Sequence, residues 1–273
     1  MSKRYAFIVS DRTGITAENL GLSLLCHFPT VEFKIVSLSF LDTREKALDA
    51  ANTINDAAGS SGLTPLVFAT LASDEIRAAI ANSNSVMFDL FDTFLAPLER
   101  ELGVASEHSV GSSHGVLNPK KYTSRISALN YTMRTDDGVN SQNYDLANVI
   151  IVGVSRTAKT PTSLYLALHY GIYAANYPLV GDDLDRGRLP DSIVTQRNKL
   201  CGLTIDAERL QQIRAERYAT GRYADLRQCQ YEINQAEAMY RRERIPFINT
   251  TAKSVEEIST TIVHKANLNR DLM

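Results

Sequence analysis

The sequence predicts an α/β protein, with an N-terminal parallel α/β domain followed by a second α/β domain organised around a glycine loop. Three observations carry this expectation. Short apolar runs alternate with helix-like patterns through about residue 103, as in a parallel sheet whose strands are joined by helices. The pattern fails over residues 103–119, GVASEHSVGSSHGVLNP, which have the glycine and serine content of an exposed connection. The continuous apolar run at 149–152 then suits a strand buried on both faces, and it opens directly into a loop that starts with Gly153. The expected organisation is an N-terminal α/β domain at 1–103, a linker and connecting helix at 104–144, and a nucleotide-binding domain at 145–273.

In chain order, residues 5–9 read as a strand, and the polar loop Ser10, Asp11, Arg12, Thr13, Gly14 leads into a helix through Ile15, Leu20 and Leu24. Residues 33–40 read as the next strand. Asp42 and Glu45 have the spacing of a carboxylate capping box, opening a helix with Ala47, Leu48, Ala51 and Ile54 inward and Gly59 after its end. A strand at 66–69 precedes a short helix that Ser73 can cap, with Asp74 and Glu75 in its first turn, and 86–90 read as a fourth strand. After the connection, 120–134 read as a helix with Ile126, Leu129 and Met133 on one face, stopping at Asp136, Asp137 and Gly138. Beyond the glycine loop come a strand at 172–177, a polar loop at 181–191 and a strand at 200–205. Asp206 can cap a helix carrying Arg209, Arg214 and Arg217, and a long helix at 226–240 and a last strand at 245–248 follow. Ser254 and Glu257 form a capping box for the closing helix. No internal repeat stands out.

The glycine loop carries the chemistry. Gly153, Val154, Ser155, Arg156, Thr157, Ala158, Lys159 and Thr160 read G-x-x-x-x-A-K-T, one methyl group from the phosphate-cradling G-x-x-x-x-G-K-[ST]. In such a loop the backbone N–H groups and the positive end of the next helix surround the phosphates. The lysine neutralises the terminal ones, and the threonine hydroxyl can sit on Mg²⁺. Pro161, lacking an N–H, belongs in the first helical turn, and Gly171 can close the apolar helix as a left-handed cap. The second domain is therefore expected to be a P-loop kinase-like α/β domain. Ala158 is the departure from the pattern, because its Cβ resists a positive φ.

Other candidates are weaker. Ser10, Asp11, Thr13 and Gly14 lie where open parallel sheets bind ligands and could hold a phosphate, but they also suit an ordinary helix entrance. Asp136 and Asp137 could supply a magnesium ligand or a base, although an acidic pair before glycine is more simply a turn. His108 and His114 in the connection could act as acid, base or phosphate ligand, and loop histidines are more often solvated. Arg209, Arg214 and Arg217 could clamp phosphoryl oxygens, with a solvated face the commoner reading. Tyr218, Tyr223, Tyr231 and Tyr240 read as core or interface residues.

Charge is nearly balanced, 29 basic against 31 acidic residues, which argues against nucleic acid or an anionic membrane as partner. Cys26, Cys201 and Cys229 lack the spacing of a disulfide framework or a zinc site. With no signal-peptide pattern and no long apolar run, a cytoplasmic protein is expected.

Together, VSDRTGITAE at 9–18, DDG at 136–138, IIVGVSRTAKTPTSLYLA at 150–167, AANYPLV at 174–180, GLTIDAERLQQIR at 202–214 and SVEEI at 254–258 resemble the bacterial phosphoenolpyruvate synthase regulatory proteins. These are relatives of the pyruvate, phosphate dikinase regulatory proteins; ANYPLV and the tail from Tyr231 through IPFINTTAKSVEEI lean towards the synthase branch. The resemblance implies a bifunctional serine/threonine kinase and phosphorylase. It would move a phosphoryl group from ADP to a threonine of the target and remove it with inorganic phosphate, releasing pyrophosphate. Carried onto this chain, it puts ADP at Gly153 to Thr160, with Lys159 on the β-phosphate and Thr160 near Mg²⁺. The protein substrate would be phosphoenolpyruvate synthase or pyruvate, phosphate dikinase, and a homo-oligomer is left open. A P-loop kinase of a small metabolite and a non-catalytic nucleotide sensor are the competing readings.

Overall fold

The computed structural model describes residues 3–106, 119–217, 221–266 and 268, so His108, His114 and Tyr218 lie outside the described residues. The chain divides into two compact units, Met1–Leu117 and Asn118–Met273.

The first unit alternates β1 (Arg4–Ser10), α1 (Ile15–Leu25), β2 (Phe33–Leu38), α2 (Arg44–Ser61), β3 (Leu66–Thr70), α3 (Asp74–Ala81), β4 (Val86–Asp89) and α4 (Leu90–Leu102). Its four strands are all parallel, in the order β2-β1-β3-β4. The unbroken apolar run of β1 follows from this position. Phe7 and Val9 pack with Ala47, Ile54, Ile76 and Ile80 of α2 and α3, whereas Ala6 and Ile8 pack with Ala17 and Leu25 of α1 and Leu90 of α4.

Several local expectations are corrected. Thr43, not Asp42, caps α2, accepting from the Lys46 N–H at 3.3 Å, while Asp42 pairs with the Lys46 ammonium at 2.7 Å. Helix α2 runs past Gly59 to a left-handed Gly62, and Leu48 is exposed. Leu90 opens α4, a helix the sequence reading did not single out, and the Asp89 carboxylate caps it through the N–H groups of Phe91 and Asp92.

The second unit begins with α5 (Pro119–Arg134), followed by 3-10 turns at Asp136–Gly138 and Ser141–Leu146 and then by β5 (Val149–Gly153) and α6 (Lys159–Tyr170). It continues through β6 (Ala174–Pro178), α7 (Gly181–Arg186), α8 (Asp191–Val194), β7 (Leu200–Thr204), α9 (Ala207–Ala215), α10 (Leu226–Glu243), β8 (Phe247–Asn249) and α11 (Val255–Lys265). Its sheet is also four-stranded and parallel, in the order β6-β5-β7-β8. Ile150 and Val152 of β5 face the helices from α7 to α10, and Val149 and Ile151 face α6 and α11.

Helix α5, expected in the connecting segment, packs on α6 and β6 and belongs to this unit. Its inward residues are Ala128, Tyr131 and Thr132, whereas Met133 is exposed. The segment read as a polar loop at 181–191 contains α7, closed by a left-handed Gly187. The Ser254–Glu257 capping box forms as expected.

The two sheets share one strand order relative to the chain, so a repeat of topology exists that the sequence reading did not detect. In both, the first strand lies between the second and the third. That makes the crevice at the carboxyl ends of the first and third strands the point where open parallel sheets take ligands.

Gly202 in the middle of β7 has no room for a side chain: an added Cβ would come within 2.8 Å of Tyr240 Cε2 and 2.9 Å of Phe247 Cβ. Gly202→Ala is expected to destabilise the second unit by about 1–3 kcal/mol through overpacking. A lower urea midpoint at unchanged slope is the readout; an unshifted midpoint would refute the packing argument.

Candidate phosphate-binding site

The loop between β5 and α6 lies at this crevice in the second unit. Gly153 ends the strand where a Cβ would stand 2.8 Å from the Leu203 carbonyl oxygen and 2.7 Å from Thr157 Oγ1. The loop then turns through two left-handed residues, Arg156 at φ 76° and Ala158 at φ 65°, and Ala158 is the N-cap of α6. Alanine thus keeps the backbone conformation a glycine would adopt there, at a strain of about 1–2 kcal/mol. Pro161 lies in the first turn and Gly171 caps the far end in the left-handed conformation, both as expected.

Thr157 is fully buried, and its hydroxyl donates to the Val154 carbonyl at 3.0 Å. Lys159 is only 5% exposed, and its ammonium donates to the same carbonyl at 3.2 Å. Burial pulls its pKa down to about 8, against the opposing charges of Asp137 and Asp136. Arg156 Nε is buried with no hydrogen-bond partner among the described residues. A buried ammonium and an orphaned guanidinium N–H beside a helix N-terminus gain what they lack when an anion binds.

Thr160 Oγ1 donates to Asp136 Oδ1 at 2.9 Å, and Asn176 Nδ2 donates to the same oxygen. Asn176 Oδ1 in turn accepts from the Asp137 N–H at 3.0 Å. The acidic pair is therefore a turn, with Asp137 at φ 49°, and also a part of the site. Asn176, fully buried in β6, was not singled out from the sequence; its signal is an amide inside an otherwise apolar strand, which must find partners. The Thr160 hydroxyl and Asp136 carboxylate are hard oxygen donors that suit Mg²⁺, which commonly takes one or two carboxylates and completes its shell with phosphate and water. No group of three or more metal-ligating side chains occurs among the described residues.

Arg214 does not lie on a solvated face. It is 1% exposed and donates to the Ser155 carbonyl at 3.1 Å, the Tyr223 carbonyl at 3.0 Å and Glu232 Oε2 at 2.6 Å. Its guanidinium also stacks on the Tyr223 ring at 4.4 Å, and the Tyr223 hydroxyl shares a 3.0 Å hydrogen bond with Ser155 Oγ. Arg209 stays exposed at Gln212. Tyr240 is a core residue whose hydroxyl donates to the Val152 and Leu203 carbonyls, and Tyr231 is 37% exposed.

In the first unit, Ser10 Oγ donates to the Thr70 carbonyl at 3.2 Å and accepts from the Arg12 N–H at 3.1 Å, while Asp11 Oδ2 accepts from the Ala72 N–H at 2.8 Å. These side chains tie the ends of β1 and β3 together. Thr13 is exposed, its carbonyl accepting from Ser39 Oγ at 3.0 Å, and Gly14 is the left-handed N-cap of α1. Arg12, Thr13 and Gly14 correspond in place to Arg156, Thr157 and Ala158, but Ile15 stands where the second loop has Lys159.

Ala158→Gly removes the Cβ strain, and the greater freedom of glycine in the unfolded chain offsets part of the gain, so a stabilisation of up to about 1 kcal/mol is expected. Thermal melting checks this; a fall in melting temperature would show that the alanine methyl is needed for packing.

The family model for kinase/pyrophosphorylase matches residues 6–263. A protein from Alkalilimnicola ehrlichii is 51% identical over 271 residues, covering 99% of this chain and 98% of its own. One from Halorhodospira halophila is 52% identical over 98% of both chains, and one from Legionella pneumophila is 48% identical over 99% of this chain and all of its own. Each carries a name that designates it provisionally as a phosphoenolpyruvate synthase regulatory protein. The match extends across both units, and the chain belongs to the kinase/pyrophosphorylase family.

Proposed function

We propose that this chain regulates phosphoenolpyruvate synthase by two opposed reactions. One moves the β-phosphoryl group of ADP to a threonine hydroxyl of the synthase, and the other moves it from that threonine to inorganic phosphate, giving pyrophosphate. The observation that carries the reading is the buried Lys159 in a left-handed turn at a helix N-terminus, its pKa drawn down to about 8. The names of the relatives support the target. We place the reaction in the cytoplasm; among the described residues no helix is long and apolar enough to cross a membrane.

Phosphoryl transfer depends mainly on positioning and on neutralising charge. In this reading the loop N–H groups hold the β-phosphate, and Lys159 and Arg156 neutralise its oxygens. The bond to the α-phosphate breaks, AMP leaves, and the threonine oxygen takes the phosphoryl group. We assign the exposed carboxylate of Asp137, whose charge opposes the shift of Lys159 more than any other, as acceptor of the hydroxyl proton. Thr160 and Asp136 would hold Mg²⁺, which would supply further charge neutralisation at the phosphates. Inorganic phosphate would enter the same loop for the reverse transfer. The polar side chains of Ser10 and Asp11 are engaged within the first unit, and the exposed Thr13 with the Gly14 helix entrance remain the alternative seat for it.

Lys159→Ala is expected to slow both directions by about 10²-fold or more, as loss of a group that neutralises transition-state charge does. Inactivation of the synthase with ADP and its recovery with phosphate are the two assays, and unchanged rates in both would remove the loop from the mechanism. Because Lys159 loses its charge above about pH 8, ADP affinity of the free enzyme should fall as pH rises through that value. Calorimetric titrations at pH 7 and 9 test this. Equal affinity at both would show that the ammonium does not contact the phosphates.

A further inference from the structure

Beside the phosphate loop, a pocket of about 310 Å³ opens between α7, the turn at Arg222–Ala224 and the first turns of α10. Leu184 and Tyr223 supply apolar wall, Tyr231 stands at its side 37% exposed, and Asp185, Arg222 and Gln228 supply the polar groups. Tyr223 is the partition between pocket and loop, since its hydroxyl reaches Ser155 Oγ at 3.0 Å. Both features lie at the carboxyl edge of the same sheet, because α7 follows β6 and the loop follows β5.

The charges of the pocket are unsuited to a second phosphate. Asp185 and Glu232 face a single lining guanidinium, that of Arg222, while Glu232 is already paired with the buried Arg214. Gln228 is engaged at both ends, accepting from Arg222 Nε at 2.9 Å and donating to Glu232 Oε1 at 3.0 Å. Asp185 Oδ1 accepts from the Tyr231 hydroxyl at 2.6 Å and keeps further acceptor capacity on its carboxylate. What remains on offer is an aromatic face, a short apolar wall and a carboxylate that can accept from hydroxyls. A nucleoside is the ligand with that chemistry: its base can stack on an aromatic ring, and a carboxylate commonly takes the ribose hydroxyls of a nucleotide. The volume is near the lower end of small-molecule sites and is short for an extended peptide.

We infer that this pocket holds the nucleoside part of the diphosphate whose phosphates sit on the Gly153–Thr160 loop, with Tyr231 stacking on the base and Asp185 accepting from the ribose. The inference rests on the phosphate-loop reading, and pyrophosphate separates the two because it has phosphates and no nucleoside. Calorimetric titration of the full chain with ADP and with pyrophosphate, for the wild type, Tyr231→Ala, Asp185→Asn and Lys159→Ala, is the test.

Tyr231→Ala should weaken ADP about tenfold, as loss of a base-stacking ring does, and leave pyrophosphate within about twofold. Asp185→Asn, which keeps the shape of the side chain, should weaken ADP alone by a smaller factor. Unchanged ADP affinity in both pocket variants overturns the inference, as does an equal loss of ADP and pyrophosphate. A raised KM for the protein acceptor at unchanged ADP affinity overturns it too and gives the pocket to the acceptor. If the wild type takes up no pyrophosphate and Lys159→Ala leaves ADP binding untouched, the phosphate-loop reading itself fails, and this inference with it.

Discussion

The loop between β5 and α6 keeps its shape because a buried arginine is tied to it. Arg214 donates to the Ser155 carbonyl, stacks on Tyr223 and neutralises Glu232, so α9, α10 and the loop after β5 are fastened at one point. A buried ion pair of this kind adds little net stability, but breaking it by removing one partner costs about 3–5 kcal/mol. Its consequence here is positional. The left-handed backbone at Arg156 and Ala158 is strained for residues with a Cβ, and such strain persists only where surrounding structure over-determines it. On the other side of the loop, Asp136 and Asn176 perform the same service for Thr160.

The two units show what a shared topology does and does not provide. Each sheet places a loop and a helix entrance at the same switch point, and each helix starts from a left-handed residue, Gly14 in one and Ala158 in the other. In the second loop a lysine ammonium lies buried beside that entrance. The corresponding position in the first carries the apolar, exposed Ile15, and the neighbouring Ser10 and Asp11 spend their polar atoms on holding strands together. The buried ammonium of Lys159 and the buried Nε of Arg156 belong to side chains added to the fold, and the fold alone does not supply them.

Much of the second unit could be read directly because its signals are local. A four-residue apolar run, a glycine, a lysine-threonine pair and Pro161 specify strand, loop and helix within a single stretch, and Ser254 with Glu257 specifies a cap in the same way. What escaped depends on residues far apart in sequence. The burial of Arg214 follows from Glu232 on another helix and from the Ser155 carbonyl, and nothing in the pattern of residues 207–215 announces either. Asn176 is defined by the turn at residues 136–138, on the far side of a strand and a helix from it. Helix sidedness was misread at Leu48 because apolar residues on a small α/β unit exceed the surface its sheet can cover.

The most direct test of the central claim is to follow the β-phosphoryl group itself. The chain would be incubated with ADP labelled at the β-phosphate and with folded, active phosphoenolpyruvate synthase, and separately with pyruvate, phosphate dikinase, and the label located by mass spectrometry. Label on one threonine of the synthase, released as pyrophosphate when inorganic phosphate is added, is the result this account requires. Label on neither enzyme, or label left in place by phosphate, would contradict it.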